Sequence, residues 1–506
     1  MNVGSLLARH ARYQPHKVAV VCGAQRFTFR EHYARVNRLA NALSSLGLRK
    51  GDKLAITLPN CIELLEAYRA CAQLGVVSVP LSPLMRGPGL VTLLRDADTK
   101  AVLGCPATLD ALNEARADLP EIGDDMYILA QSSRTPGYRS YDEIVDAASD
   151  APSPPLDIGD DDIYNIIYSS GTTGQPKGII HTHYVRGLYC TMFANQFRFT
   201  PESVVLHGGS LVFNGSFVTL MPAWFLGCTF VLMERFDATA FIDLVEREGV
   251  THVMMVPSQI VGVLNAPNFA GEKLQTLRML CSVGAPWHRE HKEALLPILP
   301  NSLYELYGLT EGFITVLDSA DFAEKIDSVG VPIPFSGMRI VSDDGRDLGP
   351  GEVGEIVGYS PLMMPGYYKR PDLSAQAIKD GWLYTGDVGM ADEDGFLHLV
   401  DRKKDMIISG GVNVYPRDVE EALVTHPAIA EAAVIGVPDE KWGETVVAYV
   451  TLRGEDGVDL EAVDAHLRPL LAAFKIPRQV IVIDALPRNA GGKVLKRELR
   501  DQHAAG

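Results

Sequence analysis

Tyr168–Gly178 reads YSSGTTGQPKG, and it follows the largely apolar run Ile163–Ile167. The run reads as a buried strand, and the stretch after it reads as a loop at the strand's carboxyl end. Its eleven residues hold three glycines, four Ser/Thr hydroxyls and one lysine. Glycines let backbone N–H groups come close to a ligand, and hydroxyls add donors that rotate to suit it. Lys177 adds a positive charge. Such a loop suits a polyphosphate, although taken alone it also fits a plain solvated turn. The spacing is not that of a P-loop, since no Gly-x-x-x-x-Gly-Lys-Ser/Thr occurs. In an open α/β sheet, ligands gather at the carboxyl ends of strands, and this stretch predicts such a sheet.

Two more strand ends carry small or hydroxyl residues. Leu277–Val283 reads as a strand that stops at Gly284-Ala285-Pro286, and Tyr307-Gly308-Leu309-Thr310-Glu311 closes a third. Tyr307 offers a flat face for an adenine ring. Thr310 offers a hydroxyl to a phosphate. Glu311 offers a carboxylate which, beside a polyphosphate, suits Mg²⁺.

Upstream, residues 1–130 alternate helical and strand patterns. Thr28 with Glu31 forms a capping box, the face Tyr33, Val36, Leu39, Leu43 follows, and Gly47 ends that helix. Lys53–Leu58 and Val76–Leu81 read as strands around a helix over Ile62–Leu74. This alternation implies a parallel sheet with helices on its faces. Residues 131–160, rich in Ser, Pro and Asp, read as a surface excursion.

Downstream, His181–Gln196 reads as a helix, and Val204–Leu206, Phe230–Met233 and His252–Val256 read as strands. Gly208–Met233 is uncharged, but Asn214, Gly215, Pro222 and Gly227 interrupt it. It reads as core and pocket wall rather than a membrane span. Gly-bounded segments over 351–401 predict a small β subdomain, in which Asp387 is a short acid in a turn, able to take both hydroxyls of a ribose. The last hundred residues read as a separate small α+β domain: a helix over Pro416–Thr425, strands over Glu431–Val437, Glu444–Leu452 and Gln479–Asp484, and a helix over Leu460–Leu471.

At 506 residues the chain exceeds one core, so two or more domains are expected. The net charge of −17 gives no electrostatic footprint for nucleic acid or anionic lipid. Seven cysteines without a Cys-x-x-Cys read as buried thiols of a reducing compartment, hence a cytoplasmic protein. The N-terminus MNVGSLLARHARYQPHK lacks the layout of a signal peptide.

Taken in order, YSSGTTGQPKG, SVGAP, YGLTE, YTGD, DRKKD, SGGVNVYP and a late GGK resemble the motifs of the adenylate-forming superfamily, which includes acyl-CoA synthetases, aryl-CoA ligases, luciferases and amino-acid adenylation domains. The resemblance covers essentially the whole chain. It implies a large N-terminal domain (1–401) of parallel α/β sheets with a small β subdomain, a hinge at 402–404, and a small mobile C-terminal lid (405–506). ATP, Mg²⁺ and coenzyme A would be the partners, with a carboxylic acid; a homodimer stays open.

The resemblance also implies roles. Thr172, Thr173 and Lys177 would handle the ATP phosphates. Gly284, Ala285, Pro286, Tyr307 and Gly308 would line the nucleotide. Thr310 would touch the α-phosphate and Glu311 would hold Mg²⁺. Asp387 would bind the ribose with Arg402 nearby. Lys404 would be the hinge, Gly410 and Gly411 would wall the CoA tunnel, and Lys493 would serve the first half-reaction. Attack of a carboxylate on the α-phosphorus brings two anions together, so positive charge has to be supplied where they meet. The thiol then needs the space that Lys493 filled, so the lid has to swing.

The acyl wall would comprise Phe213, Asn214, Phe217, Val283 and Phe313. At the position of Asn214 amino-acid-activating relatives carry an aspartate, so a free amino acid is disfavoured. An apolar wall suits an alkyl or aryl tail. This favours a hydrophobic monocarboxylate, a fatty acid first and a benzoate or cinnamate type second; no second basic group is evident for a dicarboxylate. With no carrier domain between Lys493 and Gly506, free CoA is the expected acceptor rather than a carrier protein. A luciferase-type oxygenase shares the motifs. A non-catalytic paralogue would be expected to lack Lys493, Glu311 or Asp387, and all three are present.

Overall fold

A computed structural model describes residues 1–132, 134–154, 156–169, 176–402, 405–409, 412–439, 442–454, 458, 460–488 and 494–505. Among these, four sheets organise the chain.

The nine-stranded sheet has six parallel strands at its centre. In spatial order they are Leu303–Gly308, Met279–Val283, His252–Met255, Val204–His207, Thr229–Leu232 and Val18–Cys22, with antiparallel strands at both edges. The seven-stranded sheet is parallel except for its last pair, where Ile163–Ser169 lies antiparallel to Lys177–Thr182. The strands are apolar on both faces because helices cover both faces. One core cluster unites the two sheets, running from Leu54 and Ile56 through Tyr164 and Phe217 to Met254 and Ile314.

Local chemistry sets several boundaries. The Thr28–Glu31 capping box starts the helix Phe29–Ser45. The helix Ile62–Leu74 stops at Gly75, which takes a left-handed conformation (φ +64°) with its N–H on the Cys71 carbonyl. Two readings need correction. His181 and Thr182 end the strand Lys177–Thr182, and the helix begins at His183 behind the Thr182 cap. The stretch 131–160 is not wholly superficial. It contains the short helix Tyr141–Asp146, and Tyr141 is buried with its hydroxyl on Glu66 at 2.5 Å.

Gly208–Met233 folds as the helix Phe217–Leu226, with Pro222 inside it, followed by a strand of the nine-stranded sheet. Among the described residues no helix is long and apolar enough to cross a membrane. The small β subdomain is a five-stranded sheet that includes Gly337–Val341, Gly354–Tyr359, Trp382–Ala391 and Leu397–Arg402. The C-terminal region has its own sheet, with long paired strands at Ile429–Asp439 and Gly443–Leu452, and its own core around Val419, Leu423, Val434 and Ala448. All seven cysteines are buried and free.

Candidate active site

Three segments meet around Glu311. The strand Leu303–Gly308 turns back as Ile314–Leu317, with Tyr307 opposite Thr315 and Gly308 opposite Ile314. The turn between them needs Gly312. Its φ is +110°, and a Cβ there would lie 2.2 Å from the Leu362 carbonyl oxygen. The Met364 N–H donates to the Glu311 carbonyl at 2.8 Å. Three residues on, the Tyr367 hydroxyl donates to Glu311 Oε1 at 2.8 Å. The same ring lies 5.2 Å from Lys177 Nζ, and the next residue's N–H donates to the Gly178 carbonyl at 2.7 Å. One phenol therefore fixes the half-buried carboxylate and faces the lysine. Burial first, and then Glu311, raises the pKa of Tyr367, so the ring stays a donor.

His181 reaches the same turn from below, with Nε2 3.0 Å from the Thr310 carbonyl oxygen. A carbonyl only accepts, so Nε2 carries the hydrogen. Burial, then Arg186, holds this imidazole neutral, well below the usual histidine range.

The β subdomain supplies the next groups. Asp387 pairs with Arg402 across two antiparallel strands. Asp387 Oδ2 accepts from the Tyr307 hydroxyl at 2.8 Å and Oδ1 lies 3.1 Å from Arg402 Nε. A carboxylate has about four acceptor positions, so two remain for incoming hydroxyls. The Tyr307 pKa is raised well above its usual value by burial and then by Asp387. Gly284, with φ +86°, is exposed just beyond Val283, and Ala285 and Pro286 follow it at the end of the neighbouring strand. The parallel strands that end at Val283 and Gly308 thus stop side by side, Tyr367 and Tyr368 join the turn after the second to Lys177 and Gly178, and Asp387 with Arg402 reaches it through Tyr307.

The residues expected to wall an acyl pocket do not share one environment. Phe217 is fully buried among Tyr68 and Tyr164, with ring centroids 5.5 and 6.3 Å away. Phe213 and Asn214 are half-buried at the start of that helix. Phe313 packs elsewhere, in the β-subdomain core with Ile340, Ile356, Leu383 and Leu397, its ring 6.5 Å from that of Tyr307. Asn214 is not free: its Oδ1 accepts from Arg186 Nη2 at 2.9 Å, and its Nδ2 donates to the Tyr189 hydroxyl at 3.2 Å.

Thr172, Thr173, Lys404, Gly410, Gly411 and Lys493 lie outside the described residues. Close to Lys493 in the chain, Lys496 is held by Glu420 at 2.7 Å. Burial opposes its charge, but Glu420 and Asp401 overcome this and raise its pKa. Arg417 binds the Asp401 carboxylate and the Leu399 carbonyl at 2.9 and 3.2 Å, so the first C-terminal helix rests on the last β-subdomain strand.

A family model described as AMP-binding enzyme matches residues 7–368, and one described as AMP-binding enzyme C-terminal domain matches residues 418–493. The chain belongs to the AMP-binding enzyme family. It is an AMP-forming acid–thiol ligase of the adenylate-forming superfamily. It is 37% identical to a feruloyl-CoA synthase of Amycolatopsis sp over 99% of this chain and 98% of the relative. It is 34% identical to the long-chain-fatty-acid–CoA ligase FadD13 of Mycobacterium tuberculosis over 100% of this chain and 99% of that one. The ATP-bound crystal structure of MatB from Rhodopseudomonas palustris superposes with a TM-score of 0.89 at 30% identity, covering 99% of both chains.

Sequence reasoning about this ligase missed Tyr367, His181 and Arg186. Tyr367 stood in a segment read as strand and turn, MMPGYYKRP. Its only signal was a pair of aromatics after a glycine.

Proposed function

We propose that this ligase joins a hydrophobic monocarboxylic acid to ATP, giving an acyl-adenylate and pyrophosphate, and then passes the acyl group to coenzyme A. In the first step a carboxylate oxygen bonds to the α-phosphorus and pyrophosphate leaves. In the second, the CoA sulfur bonds to the acyl carbon, AMP leaves and the thiol proton is lost. The observation that carries this reading is the Tyr307–Asp387–Arg402 cluster beside the turn that holds Thr310 and Glu311.

The cluster suits the adenosine end. Tyr307, Gly308 and Gly284–Pro286 offer a flat surface, and Asp387 offers free acceptor positions to the ribose. Arg402 and Thr310 serve the phosphate that stays with AMP. Thr172, Thr173 and Lys177 serve the phosphates that leave. Glu311 supplies a single half-buried carboxylate, and among the described residues it belongs to no group of three potential metal ligands. That donor set suits Mg²⁺, which keeps waters and phosphate oxygens in its shell. When bound, the ion neutralises phosphate charge; Tyr367 orients the carboxylate that would hold it.

Lys493 is assigned the cation of the first step, Lys404 the hinge, and Gly410 and Gly411 the CoA wall, with domains at 1–401 and 405–506. The buried thiols support a cytoplasmic location.

A fatty acid is the first reading of the acid, because Val212, Phe213, Phe217 and Val283, in the segments assigned to the acyl wall, are apolar. An aryl acid is the second, favoured by the aromatic and hydrogen-bonding set Phe217, Tyr189 and Asn214, and by the feruloyl-CoA synthase relative. Pyrophosphate release across straight-chain and aryl acids, with and without CoA, tests both. Acid-dependent release with CoA-dependent thioester supports the ligase; release indifferent to every acid contradicts it.

A further inference from the structure

Among the described residues Arg186 is the largest fully buried side chain. It stands on the helix His183–Gln196, and its guanidinium contacts amide oxygens and aromatic rings. Nε and Nη2 lie 3.3 and 3.2 Å from Asn165 Oδ1, and Nη2 lies 2.9 Å from Asn214 Oδ1. The plane lies 4.1 Å from the Phe217 ring and 4.7 Å from the Tyr189 ring. Among the described residues no carboxylate pairs with it. Among the described residues Nη1, with two N–H bonds, is buried and has no acceptor, and Asn165 Nδ2 is buried and also unpartnered.

A buried guanidinium without a counter-charge is costly, by several kcal/mol even after relaxation. Aromatic faces and two amide oxygens offset part of that cost. Among the described residues they leave the two Nη1 donors without an acceptor, and a buried unmade hydrogen bond is what folded proteins avoid. The position is also informative. Asn214 and Phe217 belong to the segment assigned to the acyl wall. On the other side, Asn214 leads through Tyr189 to His181, whose ring lies 6.4 Å from that of Tyr189, and so to the Thr310 carbonyl. Arg186 therefore sits one amide away from the acyl segment and is linked by side chains to the turn assigned to the α-phosphate.

We infer that Arg186 is a specificity-determining residue whose free Nη1 takes an acceptor oxygen on the tail of the acid, remote from the carboxylate that is activated. The class of substrate is an acid with an apolar body and an oxygenated far end: a second carboxylate, or a ring hydroxyl. This deepens the proposed function and rests on it, and it amends the expectation that no second basic group serves the acyl site. A planar fork meets a carboxylate with two parallel bonds and a hydroxyl with one, so a carboxylate should gain more.

The test is pyrophosphate release by the full-length enzyme with matched acids: 3-phenylpropenoic acid against its 4-hydroxy and 4-carboxy forms, and a straight-chain monoacid against the diacid of equal length. The wild-type enzyme should favour at least one oxygen-bearing member by about 10-fold or more in kcat/KM, the size of one charge-assisted hydrogen bond. Which arm responds separates carboxylate from hydroxyl. In Arg186→Met that ratio should fall to about 2-fold or less. In Arg186→Lys, a point charge of shorter reach, it should fall between the two.

Should Arg186→Met fail to fold, the wild-type and Arg186→Lys ratios decide the matter. Wild-type ratios near one in every pair, or a preference that survives in both variants, would overturn the assignment and leave the ligase intact. Absence of acid-dependent release throughout would overturn the ligase reading, and this inference with it.

Discussion

Tyr307 and Asp387 are eighty positions apart in the chain and share a hydrogen bond of 2.8 Å between the phenol and Oδ2. The bond ties the large α/β sheet to the β subdomain, and it holds the carboxylate turned toward the strand end where the nucleotide is proposed to lie. Tyr307→Phe keeps the ring and removes the donor. A hydrogen bond to a charged group is worth about 1.5–3 kcal/mol, and the carboxylate keeps Arg402. The KM for ATP should therefore rise by about 10-fold, at the low end of that range, with the KM for the acid changed far less. Equal changes in both would show that the bond serves stability and not nucleotide position.

Tyr367→Phe removes the donor that orients Glu311 while leaving the carboxylate in place. The Mg²⁺ concentration for half-maximal pyrophosphate release should rise by about 10-fold, the low end for a hydrogen bond to a charged group. Saturating Mg²⁺ should recover most of the rate. Glu311→Gln should not be rescued in this way. An unchanged Mg²⁺ requirement in Tyr367→Phe would separate Glu311 from the ion.

Gly312 combines φ +110° with a backbone oxygen 2.2 Å from where a Cβ would stand. Gly312→Ala therefore pays twice, in backbone conformation and in a clash that no rotamer relieves. The variant should lose about 2–4 kcal/mol of stability in a urea titration, and its turn should release Glu311 from Met364. Gly345→Ala is a useful contrast, because φ is +83° but nothing lies within 4 Å. It should lose only the conformational part, about 1 kcal/mol.

Six buried histidines set a pH dependence, and burial holds His32 and His181 well below the ordinary range. Burial is the largest cause that lowers His10, His183, His207 and His252, each to about 4. In the unfolded chain each titrates near the ordinary value of 6.5. Above that pH both states are neutral and the groups contribute no pH dependence. As pH falls from 6.5 toward 4 the unfolded chain binds protons first, so stability falls, with a slope of up to about 1.4 kcal/mol per pH unit for each histidine. Glu66 and Glu305, raised mainly by burial, act the other way in the acid part of this window. Urea midpoints should therefore drop measurably between pH 7 and pH 5.5, before those carboxyl groups contribute fully. A flat profile over that interval would contradict neutral buried imidazoles.

Features set by neighbours in the chain were legible in the sequence. The Thr28 capping box, the stop at Gly75 and the strands that end at Val283 and Gly308 depend on a few adjacent residues, and they stand where the pattern placed them. The pairings that shape the candidate site join distant segments. Glu311 finds Tyr367 and Tyr307 finds Asp387 only because a β subdomain folds back over the main sheet, and no periodicity encodes that. Arg186 was hidden for another reason. HYVRGLYC reads as an ordinary helix, and an arginine in it reads as solvent-facing until the second sheet covers it. The stretch 131–160 misled through composition, since its polar residues masked the one tyrosine that the core takes in.

In the proposed function a lysine carried by the C-terminal domain supplies the positive charge for adenylation and has no part in thioester formation. Lys493→Ala, assayed in both half-reactions, separates these two roles. Acid-dependent pyrophosphate release should fall by about 100-fold or more, as for loss of a charge-stabilising group at a transition state. Conversion of supplied acyl-adenylate and CoA to thioester should stay within about 3-fold of the unaltered enzyme, because in that step the lysine has left the site. Equal loss of both half-reactions, or no loss in the first, would contradict it.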